Sequence, residues 1–182
     1  MQIRLAQVAD AAEIARVHVD TWRAAYRGIV PDAHLNSLTY EQREQRWRDN
    51  FAAASPGVFL YVATDDDSRA IGFAGGGPER GGDPTYKGEL YALYLLKSYQ
   101  SQGIGRELTL TVARHLAQQG YSSMLVWVLA QNPSRKFYEA LGGKYLYEKP
   151  ITIGGAELIE VAYGWPDLDT LIRAHKTTES SQ

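Results

Sequence analysis

Residues 89–105, Glu-Leu-Tyr-Ala-Leu-Tyr-Leu-Leu-Lys-Ser-Tyr-Gln-Ser-Gln-Gly-Ile-Gly, decide the fold class of this 182-residue chain. The stretch begins as an apolar strand, Glu89 to Leu96, and leads through a polar turn into a helical pattern from Gly103 to about Gln119. A second, nearly continuous apolar strand follows from Ser123 to Leu129. Because a strand, a helix and a buried strand in succession form a parallel crossover, the chain is predicted to be α/β.

The composition excludes several classes of protein. The 19 basic and 21 acidic residues give a net charge of −2, without the basic excess that nucleic-acid binding requires. The chain has no cysteine, and its four histidines have no short metal-ligand spacing, so no metal site is expected. No segment has 18 consecutive apolar residues and the start is polar, so we expect a cytoplasmic protein that does not bind a membrane.

The sequence also predicts the domain organisation. Residues 75–84 are so rich in glycine and proline that they are expected to form a loop rather than regular structure. This loop is interpreted as a hairpin connection and not as a linker, because the sequence before it has too little unbroken apolar sequence for its own core. Residues 1–175 are therefore predicted to form one domain, and residues 176–182 a flexible polar tail.

The turn from Gln100 to Gly105 is suited to binding an anion. Gly103 and Gly105 lie between a strand and a helix, so backbone N–H groups can approach an anion with no side chain in the way. Arg106 adds a positive charge at the same helix end. The turn is not a Rossmann fingerprint, since Leu108 stands at the third glycine position, and it is not a P-loop. Taken alone, it is equally well explained as a plain structural turn.

A second motif favours the anion-binding interpretation of this turn over a plain structural one. Gln100, Gly103 and Gly105 match the pattern Gln/Arg-x-x-Gly-x-Gly/Ala, and Asn132 later opens a helix that contains Ser134, Phe137 and Tyr138 and closes at Gly142. Together the two motifs resemble those of the GNAT superfamily of N-acetyltransferases. The resemblance covers most of the chain, and Lys97, where many members have proline, departs from it. It implies a mixed, mostly antiparallel sheet with a central parallel pair splayed open, helices on both faces, and acetyl-CoA as the acyl donor.

The resemblance also implies roles for particular residues. Backbone groups of Leu93 and Leu95 would hold the pantetheine arm, with an amide near Leu95 polarising the thioester carbonyl. Asn132 and Ser134 would contact the arm from the other side, and Tyr138 would protonate the departing thiolate. The diphosphate would lie on the turn formed by Gln100, Ser101, Gln102, Gly103, Ile104, Gly105 and Arg106.

The residues that would bind the acceptor of the acetyl group are less well defined by the sequence. Glu89 is the preferred general base, although a strand-end carboxylate is also explained by solvation alone. Trp22, Arg23 and Tyr26 are candidates for the acceptor-binding wall, because aromatic faces bind apolar or cationic groups and arginine binds carboxylates. Packing of the tryptophan in the core and solvation of the arginine explain them equally well. His34 and Trp47 belong to the same open set.

The predicted function is therefore transfer of an acetyl group from acetyl-CoA to a primary amine of a small molecule or a protein. The alternative is a non-catalytic domain that binds acyl-CoA as a sensor or interaction module. The sequence leaves open the identity of the acceptor and the oligomeric state, with a homodimer among the alternatives.

Overall fold

A computed structural model describes residues 1–53 and 55–175, which form seven strands and six helices; the polar tail predicted for residues 176–182 lies outside the described residues. The strands form one sheet in the order β1-β2-β3-β4-β5-β7-β6. Their bounds are β1 Gln2–Leu5, β2 Phe59–Thr64, β3 Ala70–Pro78, β4 Gly88–Leu95, β5 Met124–Leu129, β6 Lys144–Ile153 and β7 Ala156–Trp165.

The centre of the sheet contains one parallel pair in an otherwise antiparallel arrangement. β4 and β5 pair over three positions, from Gly88 opposite Met124 to Leu90 opposite Val126, and then the strands separate. A β-bulge lies in the same region, where the register between β3 and β4 shifts after Gly75. The predicted mixed sheet with a splayed parallel pair is confirmed.

Helices cover both faces of the sheet, as predicted. α1 packs on β3, β4 and α3, whereas α4 packs on β2, β3, β4 and α6. The helix bounds are α1 Ala11–Ala25, α2 Asp32–Ser37, α3 Tyr40–Ala53, α4 Ile104–Gln118, α5 Arg135–Ala140 and α6 Leu168–Ala174. Within the described ranges, no helix is long and apolar enough to cross a membrane.

The glycine-rich segment differs from its prediction. The expected loop over residues 75–84 is wrong for its first part, because β3 continues through Gly75, Gly76 and Gly77 to Pro78. A Cβ atom added to Gly76 would lie 2.8 Å from a methyl group of Val112 on α4. The glycines therefore permit close packing of a helix on the strand, which no local propensity reveals.

The starts of α1 and α3 are stabilised differently. Asp10 does not cap α1 with its side chain, because its carboxylate accepts hydrogen bonds from Arg4 and from the backbone N–H of Gln7. Thr39 does cap α3, since its hydroxyl accepts the N–H of Gln42 at 3.2 Å.

Candidate active site

A cavity of about 560 Å³ opens where β4 and β5 separate. Its walls include Leu93 and Leu95 of β4, Val126 and Val128 of β5, and Tyr138 of α5. Among the described residues, the edge of β4 that faces β5 has no strand partner beyond Leu90. The backbone of this edge is therefore open to an extended ligand lying between the strands, which can satisfy its hydrogen-bonding groups. We call this space the donor cavity.

The glycine turn forms one end of the donor cavity. Gly103 immediately precedes α4 with φ +81°, a left-handed conformation that glycine adopts without strain. A Cβ atom there would have no neighbour closer than 3.9 Å, so the backbone N–H groups at the helix start are open to a ligand. Gln100 supports the turn, since its side-chain amide donates to the Leu95 carbonyl at 3.0 Å.

Charge at this turn also suits a diphosphate. Arg106 lines the cavity; its buried Nε atom lies 3.6 Å from a carboxylate oxygen of Glu107, an ion pair without a hydrogen bond. Ser101 and Gly105 line the cavity as well, whereas Gln102 points to solvent and donates to the Ser98 carbonyl. Ile104 lies in the hydrophobic core. The turn therefore combines open N–H groups, a helix N-terminus and a guanidinium group.

The opposite wall comes from the segment after β5. Asn132 is 6% exposed, and its side-chain oxygen accepts the N–H of Ser134 at 2.9 Å. Both residues line the donor cavity. The predicted start of α5 at Asn132 is wrong, because this turn precedes the helix and α5 begins at Arg135. The side-chain hydrogen bond of Asn132 shapes a connecting turn and turns the residue toward the cleft.

Tyr138 lies deep in the same cavity and is 6% exposed. Burial, with a smaller effect of the neighbouring Tyr94 phenol, raises the pKa of Tyr138 above that of a free tyrosine. The phenol is therefore protonated at neutral pH and can act as a proton donor. Its neighbour Phe137 packs against the glycine turn, where a Cβ atom on Gly105 would lie 3.6 Å from the ring.

A second cavity of about 650 Å³ lies on the α1 and α3 side of the sheet, and we call it the acceptor-side cavity. Trp22, His34 and Trp47 line it, as do residues from β5, β6 and β7. The residues common to both cavities are Tyr26, Tyr94, Trp127 and Val128. The two cavities therefore adjoin, and the shared residues mark their junction.

Besides Gln102 and Ile104, two residues predicted for the acceptor side lie outside both cavities. The guanidinium of Arg23 donates to the backbone carbonyl of Leu38 at 2.6 Å, at the end of α2. Glu89 is 2% exposed, lies in the paired part of β4, and is bound through its carboxylate by the side chain and the backbone N–H of Arg80. The structure thus brings Trp22 and Tyr26 to the site but not Arg23 or Glu89. The role of Glu89 as a base stays a prediction.

Sequence reasoning gave no site role to three residues that line the acceptor-side cavity, namely His18, Arg43 and Arg46. Burial, and then repulsion from Arg46, lowers the pKa of Arg43. His18 is 8% exposed, and burial followed by the charges of both arginines lowers its pKa to about 3. The spacing of Arg43, Arg46, Trp47 and Asn50 was an available signal, because residues three and four apart share a helix face.

Comparison with known proteins agrees with this geometry. The model of the acetyltransferase (GNAT) family matches residues 15–143. The uncharacterized N-acetyltransferase YuaI of Bacillus subtilis is 46% identical over 169 residues, covering 93% of this chain and 95% of that protein. The mycothiol acetyltransferase of Kocuria rhizophila is 35% identical over 121 residues, covering 60% of this chain and 40% of that protein.

Solved structures share the fold at low sequence identity. The PaiA N-acetyltransferase of Thermoplasma acidophilum, in complex with coenzyme A, has a TM-score of 0.67 at 20% identity and covers 91% of this chain and 100% of its own. The ribosomal-protein-alanine N-acetyltransferase of Brucella melitensis has a TM-score of 0.69 at 20% identity, covering 91% of this chain and 99% of its own.

The splayed strand pair, the glycine turn at the start of α4 and the matching family model define an acetyl-CoA-dependent acyltransferase. The chain belongs to the GNAT acetyltransferase family. The family, the mixed α/β fold, the enzyme class and the acyl donor expected from the sequence are confirmed.

Proposed function

We propose that this enzyme acetylates a primary amine that reaches the thioester from the acceptor-side cavity. The observation that carries this proposal is the junction between the two cavities. Tyr26 and Tyr94 line both of them, and the phenol of Tyr94 lies close enough to Tyr138 to affect its pKa. An amine at the junction therefore lies beside the predicted proton donor.

Binding of the donor rests mainly on backbone groups. We assign the diphosphate to the N–H groups around Gly103, with the Arg106 guanidinium balancing its charge. The backbone of Leu93 and Leu95 holds the pantetheine arm at the open edge of β4, and Asn132 contacts it from the opposite wall. These contacts fix the thioester at the junction, which lowers the entropic cost of the reaction.

Acetyl-CoA supplies an acetyl group on a thioester: the amine nitrogen bonds to the carbonyl carbon, the carbon–sulfur bond breaks, and sulfur takes a proton. The Tyr138 phenol donates that proton, because burial keeps it in the protonated form. A backbone amide near Leu95 donates a hydrogen bond to the developing oxyanion.

Deprotonation of the incoming ammonium is assigned to Glu89, as the sequence predicted. Because Glu89 lines neither cavity and is bound by Arg80, a proton reaches its carboxylate only through intervening groups. This part of the proposal therefore has a distinct kinetic test, given in the Discussion.

Incubation of the enzyme with acetyl-CoA and a panel of amines tests the proposed function. We expect release of free CoA thiol together with an acetylated amine, measured by mass spectrometry. The panel includes small amines and peptides with free amino groups, which separates the two kinds of acceptor. Binding of acetyl-CoA without acetylation of any amine would instead support a sensor or interaction domain.

A further inference from the structure

The acceptor-side cavity has uncompensated positive charge. Arg43 and Arg46 both line it, and neither forms an ion pair within residues 1–53 and 55–175. Burial, and then the charge of Arg46, lowers the pKa of Arg43, so the two guanidinium groups lie near each other on this wall. Arg46 is exposed and Arg43 half-buried, so both guanidinium groups are accessible to an anion that enters the cavity, and an anion there would reduce their mutual repulsion.

The same wall carries buried polar atoms without hydrogen-bond partners. The indole nitrogens of Trp22 and Trp47 and both ring nitrogens of His18 are buried and have no partner of good geometry in the described part of the chain, although the Trp22 indole lies near the Tyr94 phenol. Because His18 is neutral, one of its ring nitrogens is a donor and the other an acceptor. All three side chains line the cavity. An unpaired buried polar group costs about 1–3 kcal/mol, so the two indole N–H groups on this wall favour a ligand that carries acceptor atoms.

The acidic residue of the cavity does not offset this charge. Glu160 lines the opposite side, but its carboxylate is paired with the amino group of Lys149 at 3.3 Å. Lys149 in turn lies 3.9 Å from the ring centre of Trp127, a position that keeps it at the β6 and β7 edge. The charge near Arg43 and Arg46 therefore remains positive.

The rest of the wall is aromatic. The ring of His18 stacks on Tyr94 with a centroid distance of 5.0 Å, and Trp22 contacts Tyr26 at 4.7 Å. Aromatic faces of this kind bind an apolar body. The volume of about 650 Å³ suits a small molecule. The aromatic residues also connect the arginines with the junction, since Tyr26 and Tyr94 belong to both cavities.

We propose that the acceptor is a small primary amine that carries an oxyanion, such as a carboxylate or phosphonate, together with an apolar body. Arg43 and Arg46 bind the oxyanion, the indole N–H groups of Trp22 and Trp47 complete its hydrogen bonds, and the amine extends to the junction. This inference rests on the proposed function, because it names the substrate class of the same site.

Matched pairs of amines test the inference. Phenylalanine and leucine are compared with 2-phenylethylamine and isopentylamine, which lack only the carboxylate, and with the corresponding 1-aminoalkylphosphonates. Thiol release is measured at a fixed acetyl-CoA concentration, and kcat/KM is calculated from the concentration of the neutral form of each amine. We expect the anionic amines to exceed their neutral partners by about 10- to 100-fold, the effect of one or two charge-assisted hydrogen bonds. The ratio of carboxylate to phosphonate identifies the preferred oxyanion.

Arginine variants assign the effect to the cavity. Arg43→Gln and Arg46→Gln are each expected to lower kcat/KM for the anionic amine by about 10-fold or more, mainly through KM, and to leave the neutral amine unchanged. Arg48→Gln is the matched control on the same helix, because Arg48 pairs with Glu44 and does not line the cavity. Arg43→Lys keeps the charge and is expected to recover part of the loss, which separates binding from a folding defect.

A direct binding measurement distinguishes failure of this inference from failure of the proposed function. Calorimetry with N-acetylphenylalanine, a probe that has the carboxylate but no free amine, is expected to show binding to the parent that the double variant Arg43→Gln/Arg46→Gln loses. Equal activity with anionic and neutral amines, or equal binding to parent and double variant, would overturn the inference. If no amine is acetylated, the proposed function fails, and the binding arm alone decides the inference.

Discussion

The two adjoining cavities are built in different ways. The donor cavity depends on backbone groups and glycines that lie within one stretch of chain, from Leu93 to Arg106, and on the segment after β5. The acceptor-side cavity depends on side chains from α1, α2, α3 and four strands, from His18 to Glu160. The wall of the donor cavity thus comes mainly from two short segments of chain, whereas the wall of the acceptor-side cavity comes from residues far apart in sequence.

The largest effect is expected at the junction. Tyr138→Phe keeps the ring and removes the proton donor, so kcat is expected to fall by about 100- to 10,000-fold, the usual range for general acid catalysis. The dissociation constant for acetyl-CoA, measured by calorimetry, is expected to stay unchanged. Tyr145→Phe, at a residue that is 53% exposed on β6, is the matched control. A decrease in kcat below about 10-fold would assign Tyr138 to packing.

A large effect is also expected on donor binding. Gly103→Glu adds a carboxylate beside the diphosphate position and forces a side chain into a left-handed conformation, so affinity for CoA is expected to fall by about 100-fold or more. Gly82→Glu is the control for strain, because Gly82 has φ +79° and no atom within 4 Å of an added Cβ. Equal CoA affinity of a folded Gly103→Glu variant would place the diphosphate elsewhere.

A smaller effect is expected on the pH dependence of stability, and it concerns the acceptor-side cavity. Burial lowers the pKa of His18 to about 3 in the folded chain, below the 6.5 of an unperturbed histidine, which applies to the unfolded chain. Between these values the unfolded chain binds more protons, so the free energy of unfolding falls as the pH is lowered through this window. At pH 5, about 1.5 pH units below the pKa of the unfolded chain, the free energy of unfolding is lower by about 2 kcal/mol, because each pH unit contributes about 1.4 kcal/mol.

The variant His18→Asn isolates this contribution. Denaturant unfolding of parent and variant at pH 7.5 and pH 5 gives the decrease in the free energy of unfolding for each chain. We expect this decrease to be about 2 kcal/mol larger for the parent than for the variant. Equal losses would show that His18 is solvated and that the cavity does not desolvate its wall.

The smallest effect is expected for Glu89. Glu89→Gln removes the charge but keeps the shape at a side chain that Arg80 binds, so the free energy of unfolding is expected to fall by about 1 kcal/mol. If Glu89 also accepts the ammonium proton, the acceptor-saturated rate of the variant loses its rise with pH below the pKa of the free amine. A parent-like pH profile in this variant would contradict the predicted role as a base.

The contrast between the cavities also explains which features the sequence predicted. The turn at Gly103 was predictable because its conformation and its place between a strand and a helix are local properties. The extension of β3 through Gly76 was not, because the reason for that glycine is the close approach of Val112 on α4. The start of α5 was misplaced for a related reason, since Asn132 caps a turn as readily as a helix.

The acceptor side was harder to predict from residue types alone. Arg23 was a candidate for binding a carboxylate, yet it donates to backbone carbonyls at the end of α2. Arg43 and Arg46 had no predicted site role, because a charged helix face is usually a solvated one. Only the packing of α3 on α1 places that face on the wall of a cavity that β5, β6 and β7 also line.

The helix α3 has a property with evolutionary consequences. None of its residues is fully buried, and Trp47 and Phe51 join it to the core only as partly buried side chains. Substitutions on its cavity face therefore change the charge and shape presented to an acceptor at little cost to the free energy of unfolding. A single helix can then diverge under selection for a new amine while the donor cavity and the sheet keep their sequence, so changes of acceptor specificity in descendants of this chain should concentrate in α3.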